Sequence, residues 1–202
     1  MEYYHNLITQ KSWQELILLK DRIDFVLIGG WAVYIYTKSL KSKDIDVIID
    51  FDQLPILEKY YQLSKNERLK KYEAKKDEIE IDIYLPHYSQ LGIPVEDLQK
   101  QTESIGGFKA LSPVYLFALK IFTLALRGRS PKGRKDFLDI ISLIISQKDI
   151  LPKAKAVLEQ YKMQEQLKTF LEFLQENTQI EEFNLSSHHF AKLKKEILIQ
   201  LY

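Results

Sequence analysis

Phe25-Val26-Leu27-Ile28-Gly29-Gly30-Trp31-Ala32 is followed, after a short gap, by Lys43-Asp44-Ile45-Asp46-Val47-Ile48-Ile49. These two stretches decide the fold. Phe25 to Ile28 is a short apolar run that ends in glycine, the pattern of a buried strand stopping at a tight turn. Trp31 to Tyr36 reads as the first turns of a helix. Asp44 and Asp46 are two apart in a β-branched run, and side chains alternate along a strand, so both carboxylates face one side. Val47, Ile48 and Ile49 make that strand apolar enough to be central. Two acids side by side on a buried strand repel each other and cost desolvation. A divalent cation removes both problems, and hard oxygen ligands suit Mg²⁺.

Residues 79–83 read Ile-Glu-Ile-Asp-Ile, a strict alternation with Glu80 and Asp82 on one face. If this strand pairs with the Asp44/Asp46 strand, one of its acids lies about 5 Å away across the ladder. Three carboxylates can hold two divalent ions. Such a pair activates a hydroxyl and clamps a phosphoryl group for in-line displacement. The bland alternatives are a tight turn at Gly29-Gly30, and for the acids an exposed strand with one solvated face.

Gly29-Gly30, thirteen intervening residues (31–43), Asp44-Ile45-Asp46 and a later hydrophobic-acid-hydrophobic strand resemble the nucleotidyltransferase superfamily of DNA polymerase beta. Ser42 matches a Ser/Thr common in the branch that includes AbiEii-type toxins. Leu116-Phe117-Ala118-Leu119-Lys120, then Arg127 and Lys135-Asp136-Phe137-Leu138-Asp139, also looks like that branch, so the likeness spans roughly residues 25–143. The resemblance implies an enzyme that moves a nucleoside monophosphate from an NTP, ATP among the candidates, to a hydroxyl. It implies Mg²⁺ or Mn²⁺ on Asp44, Asp46 and Asp82, which are also the catalytic residues. Gly29, Gly30, Ser42, Lys120 and Arg127 would bind the nucleotide. Glu80, Lys43 and Asp136 are weaker candidates. RNA, particularly tRNA, is the acceptor implied by the branch, with a cognate antitoxin as partner. Antibiotic-type relatives imply a small-molecule acceptor, and AMP transfer to protein hydroxyls is a third option.

Two positions depart from the branch pattern. Leu40 stands where an arginine is frequent, four before the first acid, and Gly30 stands where many relatives have serine. They motivate an alternative of another class, a degenerate member that binds a nucleotide or a protein without catalysis.

The 202 residues are 46% hydrophobic and 28% charged, enough for one domain or two small ones. No apolar run reaches membrane-spanning length, and Met1-Glu2 is not a signal-peptide start. With no cysteine there is neither a disulfide framework nor a thiolate metal site, and a cytoplasmic protein is expected. A net charge of +1 does not argue for nucleic acid. Residues 120–135 nevertheless carry Lys120, Arg127, Arg129, Lys132, Arg134 and Lys135 with no acid, a run that suits a triphosphate or an RNA backbone, or else a solvated loop.

Periodicity predicts a helix over 7–22, a strand over 25–28, a helix over 30–37, a strand over 44–50 and a helix near 53–64. Charged residues 65–78 read as an edge strand or hairpin arm, and 79–85 as a strand. Residues 86–111 read as irregular, with a short strand at 108–111. Ser112-Pro113 caps the first of five helices, at about 113–127, 134–147, 151–160, 163–177 and 186–200. The expected fold class is therefore α+β. A nucleotidyltransferase domain (1–111) holds a small mixed sheet flanked by helices, and a helical bundle (112–202) follows. Lys120 lies on a largely apolar helix, where snorkelling is the ordinary use of lysine. Asp136 and Asp139 read as a surface salt-bridge cluster unless they serve the site, His188 and His189 as surface residues, and Trp31 and Tyr34 as packing or base-stacking groups.

Overall fold

The computed structural model describes residues 2–201, with side chains from residue 7 onward. It divides into two compact units, Met1–Leu116 and Phe117–Tyr202. The fold class is α+β. The first unit runs α1 (Glu2–Lys20), β1 (Val26–Ile28), α2 (Gly29–Thr37), β2 (Ile45–Ile48), α3 (Leu54–Leu57), β3 (Gln62–Asn66), β4 (Lys71–Lys76), β5 (Ile79–Tyr84), α4 (Val95–Leu98), β6 (Thr102–Ile105) and β7 (Phe108–Leu111). The strands form one mixed sheet in the order β3-β4-β5-β2-β1-β7-β6. The two predicted site strands are adjacent: β2 lies between β1, antiparallel to it, and β5, parallel to it. Central position follows from composition. Ile45, Val47, Ile48, Ile81 and Ile83 are essentially inaccessible, and all three isoleucines of the Ile79–Tyr84 alternation are buried.

The sheet is larger than the small one expected, and the additions come from two misread segments. Residues 53–64 do not form one helix. A turn of 3₁₀-helix over Phe51–Gln53 leads into the short α3, and the chain then enters β3. Pairing decides this: Gln62 through Asn66 take partners Lys75 through Lys71 along β4, closing a hairpin over residues 67–70. Apolar spacing in Leu54, Leu57, Tyr60 and Tyr61 carries no information about that partner. Residues 86–111 are likewise more ordered than predicted. Thr102–Ile105 pairs with β7, and Gly106-Gly107, which reads as a breaker, is the two-residue turn between them.

Trp31 is 1% exposed, donates its indole N–H to Ser12 Oγ at 2.9 Å, and has the Trp13 ring 5.0 Å away and Tyr34 5.4 Å away. It packs α2 against α1 rather than offering a face to a base. Glu15, Arg22 and Tyr61 form a second tie within this unit: Arg22 and the Tyr61 hydroxyl donate to Glu15 Oε1 at 2.9 and 2.7 Å.

In the second unit α5 (Pro113–Arg127) continues from the first, followed by α6 (Pro131–Ser146), α7 (Ile150–Gln160), α8 (Gln164–Glu176) and α9 (Ser187–Leu201). α6 begins three residues before the predicted 134, because Ser130 and Pro131 repeat the serine-cap, proline-first-turn signal of Ser112-Pro113. Ser130 Oγ accepts the Gly133 N–H at 3.1 Å. Phe117, Phe137, Phe170 and Phe173 join α5, α6 and α8 with ring centroids 5.9–6.2 Å apart. His188 and His189 are exposed in the first turn of α9. Among the described residues no helix is long and apolar enough to cross a membrane.

Candidate active site

The first unit brings Gly29, Asp44, Asp46 and Asp82 to one end of the central strands. β1 stops at Ile28, whose register partner on β2 is Asp46. The chain turns at once into α2, and Gly29 makes that turn with φ of +65°. No other residue type fits. A Cβ there would stand 2.1 Å from Asp46 Oδ2, so the aspartate carboxylate occupies the space that the missing side chain leaves. The glycine motif and the second acid are thus one packing unit. Gly29→Ala is expected to displace Asp46 and depress activity far more than stability. Equal activity of the purified Ala variant, assayed beside the parent, would contradict this.

Asp46 is also in register with Asp82 on β5, and Asp82 with Glu73 on β4. Paired residues share a face, so three acids lie in a row across three strands, with Ser64 of β3 next in line. Asp44, immediately before β2, is close enough to Asp82 to destabilise its charge. Burial pushes the Asp82 carboxyl up, and Asp44 and Glu73 add to the rise, while Lys71 opposes it. Lys71 Nζ sits 2.6 Å from Asp82 Oδ1 and 3.3 Å from Glu73 Oε1. The Lys71 ammonium is penalised by burial, yet those two carboxylates raise its pKa. The two upward shifts are compatible, since one ammonium partly offsets three neighbouring negative charges. Glu73 is held in turn by Asn66 Nδ2 at 2.9 Å.

Glu80, two residues before Asp82, is exposed and paired with Lys75 at 2.7 Å. Lys43 is exposed, and Ser42, Gly30 and Ile28 are buried beside the turn and the strand entrance. Lys71, Glu73 and Asn66 are the site residues that sequence reasoning missed. The alternation Lys71-Tyr72-Glu73-Ala74-Lys75 places Lys71, Glu73 and Lys75 on one face, but only the β4–β5 register aims that face at Asp82.

Carboxylate oxygens have the chemistry that suits a hard divalent ion, and Asp44 and Asp46 supply them two residues apart at the start of β2. The third carboxylate fits less well. One of its oxygens, Oδ1, is paired with an ammonium, and among the described residues no three acidic or histidine side chains converge as a metal site.

The remaining predicted residues lie in the second unit. Lys120 is buried, 8% exposed, with its ammonium 2.8 Å from Asp136 Oδ1 and 2.8 Å from Asp139 Oδ2. Neither acid is on the surface: they are 1% and 0% exposed. Arg127 donates to Asp136 Oδ2 at 2.7 Å, and Lys135 lies 3.2 Å from Asp139 Oδ2. Lys120 therefore does not snorkel. Burial would lower its pKa, but Asp139 and Asp136 reverse the direction and raise it. Arg129 pairs with Glu176, and Arg134 with Glu182 at 2.9 Å. The basic run of 120–135 is thus largely neutralised by carboxylates that follow it in the chain.

Burial pushes the Asp136 carboxyl up, but Lys120 and Arg127 outweigh this and hold it below its ordinary value. A depressed folded-state pKa gives stability that is present above the unfolded value and lost as pH falls through the folded one. Below about pH 4 the parent should therefore lose stability more steeply than Asp136→Asn. Urea midpoints followed against pH check this; equal slopes would contradict it.

No protein-family model matches the chain, and no curated protein matches it. Solved structures match in fold. A candidate nucleotidyltransferase of Helicobacter pylori is 12% identical with a TM-score of 0.55, over 96% of this chain and 94% of that one. The Helicobacter pylori protein JHP933 is 13% identical with a TM-score of 0.51, over 96% of this chain and 91% of that one. The likeness at such identities is one of fold: this chain has the α+β architecture of those structures.

Proposed function

We propose that the chain is a metal-dependent nucleotidyltransferase that moves a nucleoside monophosphate from an NTP to a hydroxyl and releases pyrophosphate. The observation that carries the reading is the register. It sets Asp46 against both the Gly29 turn and Asp82, so carboxylates and a helix N-terminus meet at one strand end. In this reading Asp44 and Asp46 hold Mg²⁺ or Mn²⁺, which when bound supplies Lewis-acid charge neutralisation at a phosphoryl oxygen. The N–H groups of Gly29 and Gly30 open α2, whose start carries no hydrogen bond from the side chain of its N-cap residue, and bind phosphate. Ser42 adds a hydroxyl donor, and Asp82 completes the acidic set on the acceptor side. Lys120 and Arg127 of the second unit are each engaged with buried Asp136, at 2.8 and 2.7 Å. RNA is the first acceptor to test, on the resemblance to the toxin branch.

A second reading is a non-catalytic nucleotide-binding member. The Lys71–Asp82 pair and Leu40 favour it. The discriminating experiment supplies each α-labelled NTP with Mg²⁺ or Mn²⁺ and pools of RNA and protein, with Asp44→Ala beside the parent. Label on RNA, lost in the variant, supports the first reading and its acceptor. Label on protein redirects the acceptor. Absence of both transfer and pyrophosphate release, with small hydroxyl acceptors included, favours the second.

A further inference from the structure

We propose that the β3–β4 hairpin is a docking surface for a single-stranded polynucleotide, which it leads to Asp82. The inference rests on the nucleotidyltransferase reading and names the class of its acceptor; binding at the hairpin is a separate measurement. Residues 1–116 carry 15 basic and 18 acidic side chains, yet four of the basic ones, Lys65, Arg68, Lys70 and Lys71, fall within seven residues that hold one acid, Glu67. Positive charge in an acidic unit is thus concentrated at one edge of the sheet, where β3 is the terminal strand.

Strand pairing sorts these residues. Lys71 lies opposite Asn66 on the face that carries Asp82, and its ammonium is 2.6 Å from Asp82 Oδ1. Lys65 lies opposite Tyr72 on the other face. There Tyr88 is ringed by cations: Lys65 Nζ is 4.9 Å and Lys70 Nζ 5.7 Å from its ring centroid, and the Tyr72 ring meets it edge-on at 5.8 Å. Both rings are half-buried, and the two lysine side chains are 43% and 44% exposed. Glu67 accepts the Tyr88 hydroxyl at 3.3 Å and is the shared partner of Lys65 and Lys70. One exposed carboxylate so shared holds them weakly, because solvent screens such pairs. Arg68, exposed at the tip, makes no ion pair among the described residues.

Lysine on an edge strand ordinarily keeps other strands from pairing with it. That purpose requires neither two tyrosine rings nor an arginine at the tip. A single-stranded polynucleotide uses all of them, since its bases stack on aromatic faces and cations follow its phosphates. A duplex hides its base faces and uses only the charges. The chain passes directly from Lys70 to Lys71, so a strand held at the hairpin is led to the carboxylate that the nucleotidyltransferase reading puts on the acceptor side.

The test is fluorescence anisotropy of the full chain with a short labelled oligoadenylate RNA, the DNA of the same sequence and an RNA duplex of the same length, each against KCl concentration. The parent is expected to bind the single-stranded RNA more tightly than the duplex. The logarithm of its affinity should fall with that of the salt at a slope of about −2, three phosphate contacts at about 0.7 each. The DNA arm identifies the strand: equal binding means that backbone and base faces alone are read, and binding of RNA alone means that a 2′-hydroxyl is read too. Tyr88→Ala is expected to weaken the single strand about tenfold with the slope unchanged, and Tyr88→Phe to retain it. Lys65→Gln/Arg68→Gln is expected to cut the slope to about −0.7. Lys192→Gln/Lys195→Gln, which removes two exposed cations from α9, is expected to change neither. Circular dichroism of each variant establishes that it is folded. Lys65 and Arg68 are exposed, so that pair decides alone if Tyr88→Ala does not fold. No binding by the parent, a duplex held as tightly as the single strand, or equal losses in the hairpin and α9 variants would overturn the proposal. A parent that fails in this way yet transfers label from NTP to a small hydroxyl acceptor leaves the nucleotidyltransferase reading standing. Hairpin-dependent binding by a parent that neither labels the bound strand nor releases pyrophosphate would overturn that reading instead and leave the binding surface.

Discussion

Asp46→Ala is expected to abolish nucleotidyl transfer while leaving the fold intact. Asp46 lies at the centre of the row, with Ile28 opposite it on one side and Asp82 on the other, and its carboxylate fills the space above Gly29. No other described carboxylate stands at that position. A metal ion contributes several kcal/mol of charge stabilisation at the transition state, and about 1.4 kcal/mol is tenfold in rate. Losing the ligand should cost on the order of 10³-fold or more in kcat. Stability should move the other way or not at all, because removing one of several crowded carboxylates relieves repulsion that the fold otherwise bears. The measurement is a pair: transfer rate with saturating Mg²⁺, and thermal midpoint by circular dichroism. A folded Asp46→Ala protein with near-parental, metal-dependent activity would sink the assignment.

Lys120→Met should do the reverse, with its main effect on stability. The ammonium lies between two aspartates that are almost wholly inaccessible, and Asp139 Oδ1 already accepts no hydrogen bond. After substitution Asp136 keeps Arg127, but Asp139 keeps only half-exposed Lys135. Removing one partner of a buried ion cluster costs about 3–5 kcal/mol, a large share of the roughly 5–15 kcal/mol that holds a domain folded. Far-UV circular dichroism is the appropriate probe, because the second unit contains no tryptophan and its described elements are mainly helices. The double variant Lys120→Met/Asp139→Leu should be less destabilised than the single one, since it also removes the stranded charge. If Lys120→Met were as stable as the parent yet bound NTP poorly, the ammonium would be serving phosphate rather than the helices.

The two substitutions separate what local sequence carries from what it does not. Gly29 at the end of Val26–Ile28, the Ile79–Tyr84 alternation and the serine-proline caps are local signals. Each follows from a steric or hydrogen-bonding demand satisfied within a few residues, so the central strands and the five C-terminal helices were legible to within a few positions. The pairing of β2 with β5 is a condition of the sequence reading, which brings a third acid to Asp44 and Asp46 only if the two strands are neighbours, and the parallel register meets that condition.

Segments whose state depends on a distant partner were not legible in this way. Gln62–Asn66 is a strand because Lys71–Lys76 pairs with it, although its own spacing continues the helix before it. The basic run 120–135 reads as a free cationic patch until Asp136, Asp139, Glu176 and Glu182 are brought to it. The sequence by itself determined the central strands, the five C-terminal helices, the glycine turn and the acids at the strand entrance. Tertiary structure alone decided that Lys71 meets Asp82 and that Lys120 meets two aspartates. A charged side chain carries no local sign of its partner; strand register and helix packing choose it.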